Sequence, residues 1–151
     1  MRTTTTVITA GAAALLLGLA AAGAAADEGR RFTVVERAVS DTVTDTGAKG
    51  DSVGDLLTFA NQLYDEANAT AVGSDNGWCI RTVVGKAWEC TTTIMLPDGQ
   101  IAIAGPYLDG RDSTMAVTGG TGRYGRARGE MKLHWRDAQG TAFDFVFALE
   151  D

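Results

Sequence analysis

The sequence predicts an all-β fold: an eight-stranded antiparallel up-and-down β-barrel. Three observations lead there. Short alternating strand signals recur along the chain while helix-period signals are absent. Glycines crowd the run Gly105–Gly129 (GPYLDGRDSTMAVTGGTGRYGRARG), where a Gly-Gly-Thr-Gly corner between two β-like runs suits the sharp bends of a closed barrel. The strand signals number eight, and eight antiparallel strands enclose just enough interior for side chains or one small ligand. A sandwich is the alternative, but the Cys-Trp-Cys spacing of an immunoglobulin domain is missing.

The elements follow in order. Arg31–Ala38 alternates, with Phe32, Val34 and Glu36 on one face and Arg31, Thr33, Val35 and Arg37 on the other. Ser40–Gly50 is rich in Thr, Asp and Gly and reads as a loop. Asp55–Tyr64 is a second strand with Asp55, Leu57, Phe59, Asn61 and Leu63 on one face, and a polar loop, Asp65–Asp75, follows it. Trp78–Val83 and Ala87–Met95 read as a hairpin, then Pro97-Asp98-Gly99 turns the chain. Gln100–Ala104 and Ser113–Thr118 are short strands. Arg126–Arg136 is longer, with Met131, Leu133 and Trp135 facing one way and Glu130, Lys132, His134 and Arg136 the other. After the turn at Ala138-Gln139-Gly140, Thr141–Glu150 carries Phe143, Phe145, Phe147 and Leu149 on a single face. Those phenylalanines either fill the barrel or, facing outward, pack between subunits.

Residues 1–26 read as a secretory signal, with Arg2, an apolar Val7–Ala22 stretch and a small-residue end at Ala24-Ala25-Ala26. A membrane anchor is the alternative, but the apolar run is shorter than the roughly 20 residues a span needs. Cleavage after Ala26 leaves residues 27–151 as one small domain, to be found outside the cell. The chain carries a net charge of −6, and loss of Arg2 makes it −7. So acidic a surface argues against nucleic acid and anionic membranes as partners of the mature domain.

The two cysteines, Cys79 and Cys90, pair by default in an exported chain, with a free reactive thiol as the alternative. A loop of that size stabilises a fold by roughly 3 kcal/mol in the chain-entropy view. A four-residue connection, Val83–Lys86, sets Cys79 opposite Cys90 and Arg81 opposite Trp88, where the cation sits over the indole. A tighter Gly85-Lys86 turn breaks that register. One histidine, His134, on a polar strand face, makes neither a zinc site with two paired cysteines nor a Ser-His-Asp triad, so no metal is expected.

Several runs resemble a known family. Asp55–Tyr64 (DLLTFANQLY), Gly77–Ile80 (GWCI), Gly105–Leu108 (GPYL) and Asp112–Gly120 (DSTMAVTGG) are similar to the corresponding runs of plant allene oxide cyclases, and Gly119–Gly129 (GGTGRYGRARG) resembles a corner of dirigent proteins. The resemblance spans about residues 53–136. It implies the same eight-stranded barrel, often a homotrimer, and chemistry with no cofactor. In those families the protein supplies shape, a few polar groups and exclusion of water to an unstable or reactive intermediate.

The resemblance also nominates residues. Asn61 matches the asparagine of the cyclase F-x-N-x-L-Y run, which helps hold a water on the epoxide oxygen; the alternative is an amide satisfying nearby backbone. Phe59 matches an aromatic beside the substrate, and Leu57 shares its face. Glu36 stands for the first-strand glutamate that stabilises developing positive charge, although in the simplest register that glutamate falls near Thr33. A Glu36 at the solvent-facing rim is the competing expectation, whereas burial would raise its pKa. Cys79 matches a cavity-wall cysteine, and its pairing with Cys90 departs from the cyclase pattern. Tyr107 matches the G-P-Y tyrosine, and Arg128, in the dirigent-like A-R-G run, is an inward arginine that polarises an intermediate's oxygen, or else a surface ion-pair partner. The catalytic candidates are therefore Glu36 and Asn61, and the substrate-binding candidates Leu57, Phe59, Tyr107 and Arg128.

Two functions follow as expectations. The first is an exported, cofactor-free barrel that binds a small apolar or phenolic molecule and directs its cyclisation or stereoselective coupling, as a cofactor-independent isomerase. The second is a non-catalytic extracellular ligand-binding or structural barrel. A third, weaker one is an interaction module whose interior its own side chains fill. The size and lining of the interior separate them.

Overall fold

A computed structural model describes residues 30–150 of the chain. The expected signal segment, residues 1–26, lies outside the described residues. Nine strands form: β1 Arg30–Arg37, β2 Thr42–Thr44, β3 Leu56–Tyr64, β4 Ala71–Val83, β5 Ala87–Leu96, β6 Gly99–Leu108, β7 Ser113–Gly120, β8 Arg128–Trp135 and β9 Ala142–Glu150. Their order in the sheet is β1-β9-β8-β7-β6-β5-β4-β3-β2, and β1 also pairs with β3. That second pairing closes β1 and β3 to β9 into an eight-stranded antiparallel barrel.

The seam is short. Only Val35↔Tyr64, Glu36↔Leu63 and Arg37↔Gln62 join β1 to β3. Beyond Arg37 the chain bends away and returns as β2, which pairs Thr42–Thr44 with Leu56–Thr58 of the same β3 edge. Side chains replace the ladder at the bend. Ser40 Oγ donates to the Ala60 carbonyl (2.7 Å) and accepts from the Ala60 N–H (2.8 Å). Asn61 Oδ1 accepts from the Val39 and Ser40 N–H groups (3.1 and 3.0 Å). The stretch expected to be a plain loop, Ser40–Gly50, thus contains a strand, because β3 offers a free edge that three residues of any β-competent sequence can take.

The expected loop Asp65–Asp75 is also shorter than composition suggested, since β4 already begins at Ala71. β6 runs past Gly105-Pro106 to Leu108. Its pairing with β7 ends at Ala104, so the missing N–H of Pro106 breaks no bond there. The Gly-Gly-Thr-Gly corner is real: Gly122 opens a 3-10 turn, Gly122–Tyr124, at φ +57°, and an added Cβ would strike the Asp98 carbonyl oxygen.

The hairpin has the register predicted for it, with Cys79↔Cys90 and Arg81↔Trp88 directly paired. A disulfide joins Cys79 to Cys90. The Arg81 guanidinium lies 3.9 Å from the Trp88 ring centre and is pinned between Asp51 (2.6 Å) and Asp109 (2.7 Å).

The interior is filled at one end and hollow at the other. Phe147, Leu63, Ile94, Ile101, Met131 and Leu149 are essentially solvent-free. Phe32 stacks on Phe147 (4.8 Å between ring centres) and leans on Tyr124 (6.3 Å) to plug one end. The phenylalanines of β9, whose direction the sequence left open, face inward: Phe143, Phe145 and Phe147 are all buried.

Gly77 has a local task. It pairs with Phe59 across β3–β4, and a Cβ there would meet the Thr91 carbonyl oxygen and come within 2.7 Å of Phe59 Cζ. The phenyl ring therefore occupies the space a side chain would take. Gly77→Ala is expected to lower unfolding free energy by about 2 kcal/mol, because a strand carbonyl cannot step aside as a side chain can. Urea titration checks this, and a loss below about 0.5 kcal/mol would mean that the ring swings clear at no cost.

Candidate active site

The hollow end contains a cavity lined by Leu57 and Phe59 of β3, Cys79 and Cys90 of the disulfide, and Thr92, Ile103, Met115, Met131, Leu133, Phe143 and Phe145. Glu36, Asp41 and Tyr107 complete it. The enclosed space is about 60 Å³, while counting out through the open mouth gives about 490 Å³. Tyr107, Trp135 and Phe143 form an aromatic cluster (Tyr107–Trp135 6.0 Å stacked, Trp135–Phe143 5.1 Å edge-on). Walls are apolar and the polar groups gather in one place, the usual composition of a small-molecule site.

The polar end is built around Asn61. Its Nδ2 donates to Glu36 Oε1 (2.8 Å) and to Asp41 Oδ1 (2.9 Å), while its Oδ1 holds the 39–40 backbone. Its own N–H donates to Asp75 Oδ1 (3.1 Å). Asn61 is 3% exposed, faces inward and stands behind Glu36, outside the cavity lining. The amide thus does what the alternative reading expected, satisfying nearby backbone through its oxygen, and through its nitrogen it also orients two carboxyl groups.

Glu36 is 5% exposed, inside the barrel and not at a solvent-facing rim. Its partner is Asp75 of β4, 1% exposed, a residue the sequence reading had left in a loop. Burial, then the Asp75 charge, pushes Glu36 well above the usual carboxylate range. Burial pushes Asp75 up to about 6. Asp75 Oδ2 is buried with no N–H donor of its own. A proton shared with the Glu36 carboxyl would supply what it needs, and the two groups act on each other's titration. Two carboxyls this close share a proton and titrate as a pair. Burial and the Asp75 charge therefore favour the neutral form of Glu36 at the cavity wall, and a carboxyl of this kind is able to give a proton to a substrate oxygen or nitrogen and recover it. Burial likewise raises the Tyr107 hydroxyl far above its ordinary value, with nearby Asp109, Asp41 and Glu36 adding to the effect, so it acts as a neutral hydrogen-bonding group.

Of the residues nominated from sequence, Glu36, Leu57, Phe59, Cys79, Cys90 and Tyr107 line this one cavity. Arg128 does not: it is exposed on the outer side of β8. Met131 and Leu133 point inward, and a residue an odd number of positions from them must point out. His134 is also outside, bonded to Asp112 through Nδ1 (2.8 Å). A broader groove at the barrel mouth, lined by Val43, Asp45, Asp51, Asp55, Arg81 and Trp88, has its Arg81 already bound to acids and its Asp55 carboxylate already satisfied by Thr46 and Ser52. No group of three or more metal-ligating side chains occurs among the described residues.

A closed eight-stranded barrel with a hydrophobic hollow and a few buried polar groups at one end has the form of a barrel that can enclose one small ligand. The family model for allene oxide cyclase matches residues 32–139, and the chain belongs to that family. Solved structures agree on the fold. The chain is similar to a pyocyanin demethylase at 27% identity, TM-score 0.67, covering 78% of this chain and all of that one. It is similar to a pterocarpan synthase dirigent protein at 16% identity, TM-score 0.64, covering 81% and 96%. An exo-specific intermolecular Diels–Alderase follows at 15% identity, TM-score 0.61, covering 80% and 98%.

Proposed function

We propose that this protein is a catalyst that takes one small, largely apolar or phenolic molecule into the hollow and directs its cyclisation or coupling. Glu36 is the proton donor and acceptor in this scheme, Asn61 its positioning residue, and Leu57, Phe59, Tyr107 and Phe145 shape the substrate. The observation that carries the reading is a buried carboxyl, Glu36, held by Asn61 and facing an apolar cavity, with burial and Asp75 pushing its pKa up. Such a group is wasteful in a structural core, where an apolar side chain would serve better. Family membership and the activities named for the similar structures, a demethylase and a Diels–Alderase among them, support small-molecule chemistry in this type of barrel.

The test uses a panel of phenols, N-heteroaromatics and polyunsaturated epoxides, with products separated by chiral chromatography. Conversion by the wild type is expected to fall at least about 100-fold in Glu36→Gln, the usual cost of losing a general acid. Equal conversion by Glu36→Gln, at matched folding, would remove Glu36 from the chemistry.

The second reading, a non-catalytic binding barrel, is favoured by the small enclosed volume of about 60 Å³. A cavity that takes up benzene measures roughly 150 Å³. On that reading native mass spectrometry recovers a bound ligand chemically unaltered, and no panel member is converted.

A further inference from the structure

We propose that the hollow is selective for charge: it takes a small aromatic or quaternary nitrogen cation with its charged end toward Glu36 and Asp41, and turns carboxylates away. This rests on the small-molecule reading above and narrows its substrate class.

Two independent features of the cavity point to a cation. The first is the sign of its polar end. Glu36 and Asp41 are its only ionisable carboxyl liners and Tyr107 its only hydroxyl-bearing ring, and none of the lining side chains is basic. Arg37, the chain neighbour of Glu36, and Arg81 are each held by other partners. Arg37 donates to Asn68 Oδ1 (2.9 Å) and lies 3.6 Å from the Tyr64 ring centre, and Arg81 is held by Asp51 and Asp109. A carboxylate entering this space would pass Asp41 and find no cation to pair with, so it would be a buried uncompensated charge.

The second feature is the wall. Phe59, Tyr107, Phe143 and Phe145 surround the space beside those carboxyls, and aromatic faces attract a cation that Asp41 and the proton-sharing Glu36–Asp75 pair, acidic as a unit, also attract. A weakly hydrated, delocalised cation loses little on leaving water, so these attractions exceed its desolvation cost. Met115 and Met131 give the wall the compliance a ring needs to enter so small a space.

Three single-ring probes separate charge from shape: N-methylpyridinium, its neutral isostere toluene, and benzoate. Binding is read by NMR at the methionine methyls, with Met115 and Met131 in the wall and Met95 outside it as the control. N-methylpyridinium is expected to bind at least about tenfold more tightly than toluene, with benzoate leaving both wall methyls unmoved. Asp41→Asn keeps the acceptor for Asn61 and is expected to shrink the cation-to-toluene ratio by about threefold or more. Toluene binding as well as the cation, or benzoate moving the wall methyls, overturns the charge selectivity and leaves the small-molecule reading intact. If none of the three moves Met115 or Met131 up to its solubility limit, the small-molecule reading fails and this inference fails with it.

Discussion

Asn61→Ala is expected to lower the unfolding free energy by about 3 kcal/mol, a large loss for one surface-to-core polar side chain. The cost comes from several groups at once. Val39 and Ser40 lose the oxygen that accepts their N–H groups, and Glu36 and Asp41 lose the N–H donor they share. The bend between β1 and β2 has no backbone ladder to fall back on, because β3 pairs with β1 only from Gln62 and with β2 only up to Thr58. Water reaches the exposed side of the bend and limits the loss there; it reaches Glu36 poorly, so most of the cost arises at that carboxyl. Urea unfolding followed by tryptophan fluorescence measures the change, and a loss under about 1 kcal/mol would show that water replaces the amide at both ends. Asn61→Asp is a useful companion. It keeps the acceptor for the bend but sets a third carboxyl against Glu36 and Asp41.

The second large effect is a stability that falls as pH rises through the neutral range. Asp75 is raised from 3.8 to about 6 in the folded chain, and Glu36 is raised further from its ordinary value by burial and by Asp75. Between the unfolded and folded values the native state holds more protons than the unfolded chain. The stability this gives is fully present below about pH 4 and is lost as pH rises through about 6 for Asp75, with Glu36, also raised, acting in the same direction. For Asp75 the full span corresponds to about 3 kcal/mol, of which about 2 kcal/mol falls between pH 4.5 and pH 8. Asp55, Asp65, Asp112 and Asp137 work in the other direction. Backbone hydrogen bonds lower Asp55, Asp65 and Asp137, and the Lys132 side chain lowers Asp112, so their contributions persist above about pH 4 and disappear in stronger acid. Together they place the stability maximum in mild acid, between about pH 4 and pH 6. Denaturant midpoints at pH 4.5 and pH 8 test this, with Asp75→Asn expected to flatten the slope. A wild type equally stable at both values, or more stable at pH 8, would mean that the carboxyl pair is not buried as described.

Much of the barrel was legible because strands with one face inside a small cylinder must alternate. The faces of Asp55–Leu63, Met131–Trp135 and Phe143–Leu149 were readable residue by residue. The Cys79–Cys90 register carried Arg81 onto Trp88 with no further assumption. The first half of β4 was lost for a physical reason. Val72-Gly73-Ser74-Asp75-Asn76 has the composition of a turn, and its strand state comes from pairing on both sides with its chain neighbours β3 and β5, which local composition does not report. With it went Asp75, the partner that gives Glu36 its character. A signal existed, since Asp75 lies an even number of residues before Cys79 and so shares its inward face. Arg128 was misplaced against the same rule. Whether Glu36 sat at the rim or inside was beyond alternation, because its cover comes from Asp75, Asn61 and Tyr107, each on a different strand.

The joint that turns the sheet into a cylinder is three residue pairs long, and Glu36 occupies the middle one. The acid therefore meets Asp75 and Asn61 only when the last edge of the sheet finds its first. A chain with every hairpin formed but that joint open would have its hydrophobic wall, its cystine staple and its glycine corners, and still leave Glu36 without its neighbours. Assembly of the carboxyl pair and completion of the fold are one event, so the pair arrives all at once and departs the same way.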